Sequence, residues 1–322
     1  MQARVDRYRA AAIAPNTTRA YVAQLRTFEL WCDLHGIPAR LPIPAALIAA
    51  WLTDRADQGA SRSTIAVALA SIKSAHRTAG LAFEATHPVL ISAVQGIRRT
   101  LINPPRQAAP LKGYLLKDIL GSPGSSDVAI RDSALIATLY VFGLRRSELA
   151  GLDYGALGRG TGALFVTGGA IELVLATSKN HPGAACLTRI SRDANPLAFA
   201  AVDRWIAHAH LLAGQPFIRR ALVGGGYGDR ITPGSVARAL RSAIARHQLA
   251  CGMSIEAART FARAYSGHSG RVGLVTAAKE AGASDASIAS ATRHADTRMV
   301  ARYGQQSDPS QTAPHKLPGV GV

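Results

Sequence analysis

"VFGLRRSELAGL", residues 141–152, places two arginines and a glutamate inside an apolar stretch. Leucines and a valine surround Arg145, Arg146 and Glu148, where a simple burial pattern predicts apolar side chains. A buried charge is retained only where it is compensated. Two interpretations are therefore open: the charges pair with each other within a helix, or an arginine is directed at an anionic ligand.

The charge balance of the whole chain favours an anionic partner. Its 322 residues include 37 Lys and Arg against 20 Asp and Glu, a net charge of +17. Residues 1–110 hold 13 basic and 6 acidic side chains, and residues 111–322 hold 24 and 14, so both parts are basic. A positive field of this size favours a polyanion, and nucleic acid is the first expectation.

Cysteine usage and hydropathy indicate the compartment. Cys32, Cys186 and Cys251 are far apart and form no CxxC pair, which argues against a disulfide framework and against a zinc module. The first residues lack the apolar run of a signal peptide, and the longest apolar stretch, from Ala134 to Leu144, is too short to span a bilayer. We expect a protein of the bacterial cytoplasm and nucleoid, without a membrane partner.

Helical periodicity dominates the first third of the chain. Apolar residues recur at three- and four-residue steps from Tyr21 to Cys32, as one buried helix face requires. Three more helices are predicted over PAALIAAWLTDRADQ, from Ser61 or Ser63 to Gly80, and over PVLISAVQGIRRTL. The pattern predicts a compact helical bundle as a first domain over residues 1–104 and a proline-rich linker over residues 105–110.

The remainder predicts a second domain over residues 111–306. The runs ALFVT, AIELVLAT and ACLTRI between Ala163 and Ile190 are typical of a small antiparallel sheet with hairpin turns, and helices lie on either side. Residues 307–322 form a proline-rich tail that we expect to be flexible. The predicted fold class is mainly α with a small antiparallel β-sheet.

Several short motifs in this domain carry basic or nucleophilic side chains. "SGHSGRVG" gives His268 and Arg271 in an H-x-x-R arrangement, whose side chains face one site when they lie at a helix start. "TSKNHPG" places Lys179 on a predicted hairpin tip. "TRHADTRMVARYG" places His294 nine residues before Tyr303.

In this order and spacing the motifs resemble the tyrosine recombinase (phage integrase) family, over nearly the whole chain. The resemblance includes NTTRAYVAQLRTFELWC, GLRRSEL, the lysine hairpin, SGHSGRVG and the closing interval from histidine to tyrosine. It implies a core-binding, SAM-like helical bundle followed by an α+β catalytic domain, the two forming a C-shaped clamp on DNA.

The resemblance assigns three residues to the phosphate and a fourth to the support of one of them. Arg145 and Arg271 would donate bidentate hydrogen bonds to its nonbridging oxygens, taking the place of a metal ion, and His294 would donate a further one. Glu148 would support the local geometry. We expect neither a metal nor another cofactor, and no ATP.

Three more residues are assigned to bond cleavage. Tyr303 would attack the phosphorus, and because a phenol with a pKa of about 10 is a weak nucleophile, His268 would accept or orient its proton. Lys179 would protonate the departing 5′ oxygen. The product would be a 3′-phosphotyrosyl enzyme, from which a partner strand's 5′ hydroxyl reverses the reaction.

The implied partner is double-stranded DNA with inverted half-sites. A homodimer would bind each site, and a homotetramer would exchange strands through a Holliday junction; accessory DNA-bending proteins are not predictable. Two alternatives are a type IB topoisomerase, which relaxes DNA as a monomer with the same residues, and a non-catalytic DNA-binding protein of the same fold.

Residues that read DNA are also implied by the resemblance. Arg238 matches a position that reaches a base edge in the major groove, where arginine to guanine is the commonest specific contact, and Arg241 is expected to meet phosphate. In the first domain, residues at two helix starts are equally consistent with DNA contacts and with caps or solvated surface: Thr17, Arg19, Arg62, Ser63 and Thr64.

Two departures from the family pattern stand out. Arg293 precedes His294 where many integrases have glycine, so the local turn is expected to differ. The prolines after Ser307 forbid a long helix, which puts coupling between protomers through a tail helix in doubt. Arg146 is expected to point away from the site.

Overall fold

The computed structural model describes residues 4, 8, 12–101, 107–176, 185–294 and 296–304, with the backbone alone at 302–304. The chain divides into two units, Met1–Arg106 and Gln107–Val322. Helices build the described part of the first unit, and the second combines helices with two small sheets. The prediction of a mainly α protein with a small sheet is confirmed. Lys179 and the tail from residue 305 lie outside the described residues.

Between residues 12 and 101 the first unit contains four helices, α1 (Pro15–Leu34), α2 (Ala45–Asp57), α3 (Arg62–Thr78) and α4 (Pro88–Thr100). α1 packs on α3, and α2 packs on α3 and α4. In the core between them, the rings of Phe28 and Trp51 meet edge to face with centroids 5.1 Å apart. Ser61 fixes the start of α3, because its hydroxyl accepts a hydrogen bond from the Thr64 N–H at 3.2 Å.

Along the described part of the second unit, three helices come first, and further helices lie between and after the strands. The helices are α5 (Gly113–Gly121), α6 (Asp127–Val141), α7 (Arg146–Ala150), α8 (Pro196–His208), α9 (Pro233–Ala250), α10 (Ile255–Ala262), α11 (Ser269–Glu280), α12 (Asp285–Thr292) and α13 (Thr297–Gly304). No helix among the described residues is long and apolar enough to cross a membrane.

Along the chain, the strands of both sheets fall between α7 and α9. The larger one has the order β1 (Leu152–Tyr154), β2 (Gly162–Val166), β3 (Ala170–Leu175) and β4 (Cys186–Ser191). β2–β3 and β3–β4 are antiparallel, as predicted. β1 pairs with β2 in parallel; it was not predicted because three residues are too few to show a strand period. β5 (Arg219–Ala221) and β6 (Tyr227–Arg230) form a separate antiparallel pair.

α6 is the central helix of this unit, and the charged segment of residues 141–152 begins at its last residue. It is buried from Ala129 to Leu139 and packs on α8, α9 and α11. Its buried Asp132 is compensated by two guanidiniums, with Arg131 at 2.6 Å and Arg246 at 2.7 Å. A helix enclosed in this way holds its C-terminal end rigidly, and residues 142–145 follow directly from it.

Candidate active site

The turn after α6 brings Arg145 out of the core. Gly143 has a φ of 53°, and a Cβ there would lie 3.0 Å from Leu274 and 3.3 Å from Thr292, so a larger residue would strain the backbone and press on both side chains. Leu144 is fully buried. Arg145 then precedes the first residue of α7 in an extended conformation, so that its side chain leaves the apolar wall at a fixed point.

Arg145 and Glu148 form a double contact. Arg145 Nη1 donates to Glu148 Oε1 at 2.6 Å, and the Arg145 main-chain N–H donates to Oε2 at 2.9 Å. Arg145 Nη2 also donates to the main-chain oxygen of Arg293 at 3.3 Å. The carboxylate is 7% exposed and the guanidinium side chain 16% exposed. The ion pair suggested by the sequence therefore exists, and it orients Arg145.

Arg271 joins three segments of the chain. It lies in the first turn of α11, is 2% exposed, and donates from Nη1 to the carbonyl of Gly143 at 3.0 Å. Nη2 donates to the carbonyl of Thr292, and Nε donates to His294 Nε2 at 3.1 Å. Arg271 is therefore a structural anchor as well as a candidate phosphate ligand.

The hydrogen bonds of His294 fix its tautomer. The Thr292 hydroxyl donates to the carbonyl of Ile288 at 2.5 Å, so it accepts from His294 Nδ1 at 2.6 Å. Nε2 then carries the lone pair that accepts from Arg271. His294 is a neutral ring with its proton on Nδ1, so Nε2 is an acceptor here. Donation from Nε2 to a phosphate requires both that Arg271 release this contact and that Nε2 gain a proton.

Burial and nearby guanidiniums keep His294 neutral. Burial is the larger cause, and the positive charges of Arg271, Arg145 and Arg293 add to it, against the opposing charge of Glu148; together they lower the pKa of His294 to about 4. Three cations around one carboxylate leave this cluster with an excess of positive charge. A doubly charged, pentacoordinate phosphorus is the kind of species that such an excess stabilises.

His268 lies at the edge of the cluster, immediately before α11. Its side chain reaches solvent, yet its packed surroundings, followed by the charges of Arg271, Arg146 and Arg145, lower its pKa. Arg146 also packs over Gly267, where a Cβ would lie 2.9 Å from the Arg146 side chain. Arg146 therefore lies beside the site, and the expectation that it points elsewhere was wrong.

Arg293 was recognised in the sequence only as a departure from the family pattern. Its φ of 56° and ψ of 45° are left-handed, so the turn keeps the conformation that favours glycine although the residue is arginine. The side chain is 3% exposed, and Nη2 donates to the carbonyl of Phe142 at 2.9 Å. Thr292 and Arg293 are the members of the cluster that sequence reasoning missed, and the only signal was arginine in place of glycine.

The other predicted residues lie at separate places. Tyr303 is in α13, which packs on α11 and α12, and its side chain is not described. Arg238 is exposed on α9, where its Nη2 donates to the Ser235 hydroxyl at 2.7 Å, and Arg241 is one turn further along. In the first unit, Arg19 donates to Asn16 and the Ser63 hydroxyl lies 2.9 Å from that of Ser61; Thr17, Arg62 and Thr64 lie at the same two helix starts.

The low pKa of His294 predicts a loss of stability in acid. The unfolded chain binds a proton near pH 6.5, whereas the folded chain binds it near pH 4. Between these values the unfolded state holds more protons, so the free energy of unfolding falls as the pH drops from about 6.5 to about 4. We expect His294 to account for roughly 2 kcal/mol, allowing for solvent screening of a partly exposed ring.

Urea unfolding between pH 4 and pH 7 measures this loss, with His294→Gln as the comparison. The variant lacks the titrating ring, so its stability should depend less steeply on pH, retaining the share that belongs to His268. Parallel curves for the two proteins would contradict the assignment.

Comparisons with known proteins show which families the chain resembles. Residues 8–80 match the phage integrase N-terminal SAM-like domain. An integrase/recombinase of Selenomonas ruminantium, a xerD homologue, is 27% identical over 304 residues, covering 92% of this chain and 83% of the relative. The tyrosine recombinase XerC of Mycobacterium sp. (strain KMS) is 31% identical over 147 residues, which cover 43% of this chain and 46% of the XerC chain.

A solved structure shares the fold. The integrase of transposon Tn1549, in complex with transposon right end DNA, superposes with a TM-score of 0.59 at 18% identity, covering 94% of this chain and 92% of that one. The chain thus resembles tyrosine recombinases in its N-terminal domain, along its sequence and in its fold.

Proposed function

We propose that this protein is a site-specific DNA recombinase that cleaves and rejoins DNA through a 3′-phosphotyrosyl intermediate. The observation that carries the proposal is the cluster of Arg145, Arg271 and neutral His294, which holds excess positive charge at one fixed place. The similarity to integrases and tyrosine recombinases, which are enzymes, supports the same class of chemistry.

In the proposed cleavage step, the phenol oxygen of Tyr303 forms a bond to phosphorus as the bond to the 5′ oxygen breaks. The phenol proton passes to His268, whose lowered pKa keeps it in the neutral, proton-accepting form. Lys179 supplies a proton to the departing 5′ oxygen. One phosphodiester is exchanged for another, so the step needs neither ATP nor a redox partner.

Arg145 and Arg271 stabilise the charge that develops on the nonbridging oxygens. Guanidiniums remain charged at any working pH and match the geometry of two phosphate oxygens, so they fill the role that a metal ion has in other phosphoryl transfers. Glu148 already orients Arg145, and the carbonyl of Gly143 orients Arg271. Little reorganisation of Arg145 is then needed when the phosphate arrives, whereas Arg271 would release its contact with His294.

Sequence recognition is assigned to α9 and to the first unit. Arg238 is exposed one turn after the start of α9 and would reach a guanine edge, and Arg241 a phosphate. Thr17, Arg19, Arg62, Ser63 and Thr64 would contact the duplex from two helix starts. We further propose inverted half-sites, a dimer on each site and a tetramer during strand exchange.

Trapping the intermediate tests the proposal directly. A duplex carrying a nick close to the cleavage position loses a short fragment on cleavage, so the religating 5′ hydroxyl diffuses away and the covalent adduct accumulates. We expect an adduct that survives denaturation and is linked through a DNA 3′ phosphate to Tyr303, as identified by peptide mass analysis.

The same assay distinguishes the alternatives. A relaxation enzyme of the type IB class would form the adduct on DNA without paired half-sites, and a non-catalytic DNA-binding protein would form none on any substrate. Absence of an adduct on every nicked duplex that the protein binds would overturn the proposal.

A further inference from the structure

Arg293 occupies a position that is unfavourable on two counts. Its left-handed backbone, with a φ of 56°, brings the Cβ of a residue other than glycine too close to the following carbonyl. Its side chain, at 3% exposed, has left water, and a buried guanidinium is retained only where it is hydrogen-bonded and paired. Glycine would avoid both costs, so the contacts of this arginine must offset them.

The side chain of Arg293 connects the turn after α6 with the acid of α7. Nη2 donates to the carbonyl of Phe142 at 2.9 Å and lies 3.6 Å from Glu148 Oε2. Oε2 is the same carboxylate oxygen that accepts the main-chain N–H of Arg145. The guanidinium therefore contacts Glu148 at Oε2, while the Arg145 guanidinium contacts it at Oε1.

The main chain of Arg293 contributes separately. Its carbonyl accepts a hydrogen bond from Arg145 Nη2 at 3.3 Å. The carbonyl of the preceding residue, Thr292, accepts from Arg271 Nη2. Arg145 is thus held at Nη1 by the Glu148 carboxylate and at Nη2 by the Arg293 carbonyl. Because the Arg293 side chain also contacts Glu148, Arg293 acts on both of these contacts.

We propose that Arg293 is a positioning residue of the site, which holds Glu148 and the Arg145 guanidinium in the arrangement that receives the phosphate. The proposal rests on the function proposed above. Arg293 acts through Glu148 and Arg145 and is not itself assigned a contact with DNA.

The proposal has an electrostatic consequence that a purely mechanical role lacks. The charged groups that face His294 are Arg271, Arg145, Arg293 and Glu148. Removing the charge of Arg293 removes one of the causes that lower the pKa of His294. That pKa should therefore rise in Arg293→Gly and stay near its original value in Arg293→Lys, which keeps the charge.

The test compares Arg293→Gly and Arg293→Lys with the wild type in the full chain. Glycine suits the left-handed backbone, so Arg293→Gly should fold. Cleavage of the nicked duplex in a single turnover should slow roughly 10- to 100-fold, the loss expected from a misplaced catalytic group, while DNA affinity changes by less than about two-fold. In Arg293→Lys, the retained charge should keep the pKa of His294 near its wild-type value. The cleavage rate should recover only in part, because an ammonium group lacks the planar set of N–H donors of a guanidinium.

His210→Gly is the matched control. His210 is the other described residue besides glycine with a positive φ, 47°, and it follows α8 in a different part of the same unit. Its replacement relieves a similar backbone strain without altering the cluster, so the cleavage rate and the pKa of His294 should match those of the wild type.

The outcomes separate the two proposals. If the wild type cleaves and Arg293→Gly cleaves equally fast, the positioning role is overturned and the proposed function stands. The same holds if His210→Gly loses as much of the cleavage rate as Arg293→Gly. A wild type that forms no adduct overturns the proposed function, and the titration of His294 by nuclear magnetic resonance then decides the inference. An unchanged pKa in Arg293→Gly overturns it, and a raised pKa supports it.

Discussion

Tyr303→Phe is expected to abolish the covalent DNA adduct while leaving DNA binding unchanged. The substitution removes one oxygen, the atom that would form the bond to phosphorus, and no neighbouring hydroxyl is assigned that role. A residue that acts as nucleophile differs in this respect from the arginines, whose loss weakens the stabilisation of the transition state without removing the reaction itself. The expected change is from an accumulating adduct to none, with the nicked duplex as substrate.

A second tyrosine provides the control for this measurement. Tyr114 is 62% exposed at the start of α5, so Tyr114→Phe removes the same atom from a site without an assigned role. It should form adduct at the wild-type rate, and both variants should retain the wild-type affinity for the duplex. An adduct formed by Tyr303→Phe would show that another residue is the nucleophile.

Glu148→Gln is expected to reduce both stability and cleavage. The carboxylate is 7% exposed and compensates two guanidiniums, Arg145 at 2.6 Å and Arg293 at 3.6 Å. The amide keeps an oxygen that can accept from Arg145 but loses the negative charge, which leaves two cations in the interior without their counter-charge. Breaking a buried pair from one side costs about 3 kcal/mol or more, and a displaced Arg145 should slow cleavage about 100-fold.

Asp203→Asn is the matched control for the stability effect. Asp203 pairs with Arg192 at 2.8 Å, but the two side chains are 41% and 36% exposed. Solvent screens such a pair, and its loss should cost under about 1 kcal/mol. Urea unfolding of the two variants measures the difference, and equal losses would contradict the role given to Glu148.

Residue chemistry made part of the site predictable. Arg145 and Glu148 stand out because charges interrupt an apolar stretch. The H-x-x-R spacing predicts that His268 and Arg271 face one site when they lie at a helix start. The four helices of the first unit follow from apolar periodicity, and the hairpin strands follow from β-type runs broken by glycines. These features depend on local sequence, which is why the sequence was sufficient to predict them.

The remaining features depend on contacts between distant segments. The tautomer of His294 is set by Thr292 and Arg271 together. No sequence pattern shows that the Thr292 hydroxyl already donates its hydrogen bond to a main-chain carbonyl. Arg293 was expected to alter the turn, whereas the turn kept its left-handed form because buried contacts offset the strain. Strand β1 was missed for a different reason, because three residues are too few to show a strand period and only the pairing with β2 defines it.

The attachment of α13 has a consequence for the timing of cleavage. Among the described side chains of this helix, residues 297–301, Val300 is the buried one, packed with Val275, Ile288 and Ala289. Burying one valine contributes roughly 1.5–3 kcal/mol. On that contribution alone, between about one molecule in ten and one in a hundred and fifty would have the helix undocked at any moment. Tyr303, the proposed nucleophile, belongs to this helix, so release of α13 from α11 and α12 would move the tyrosine. Docking of α13 would then set how often a strand is cut.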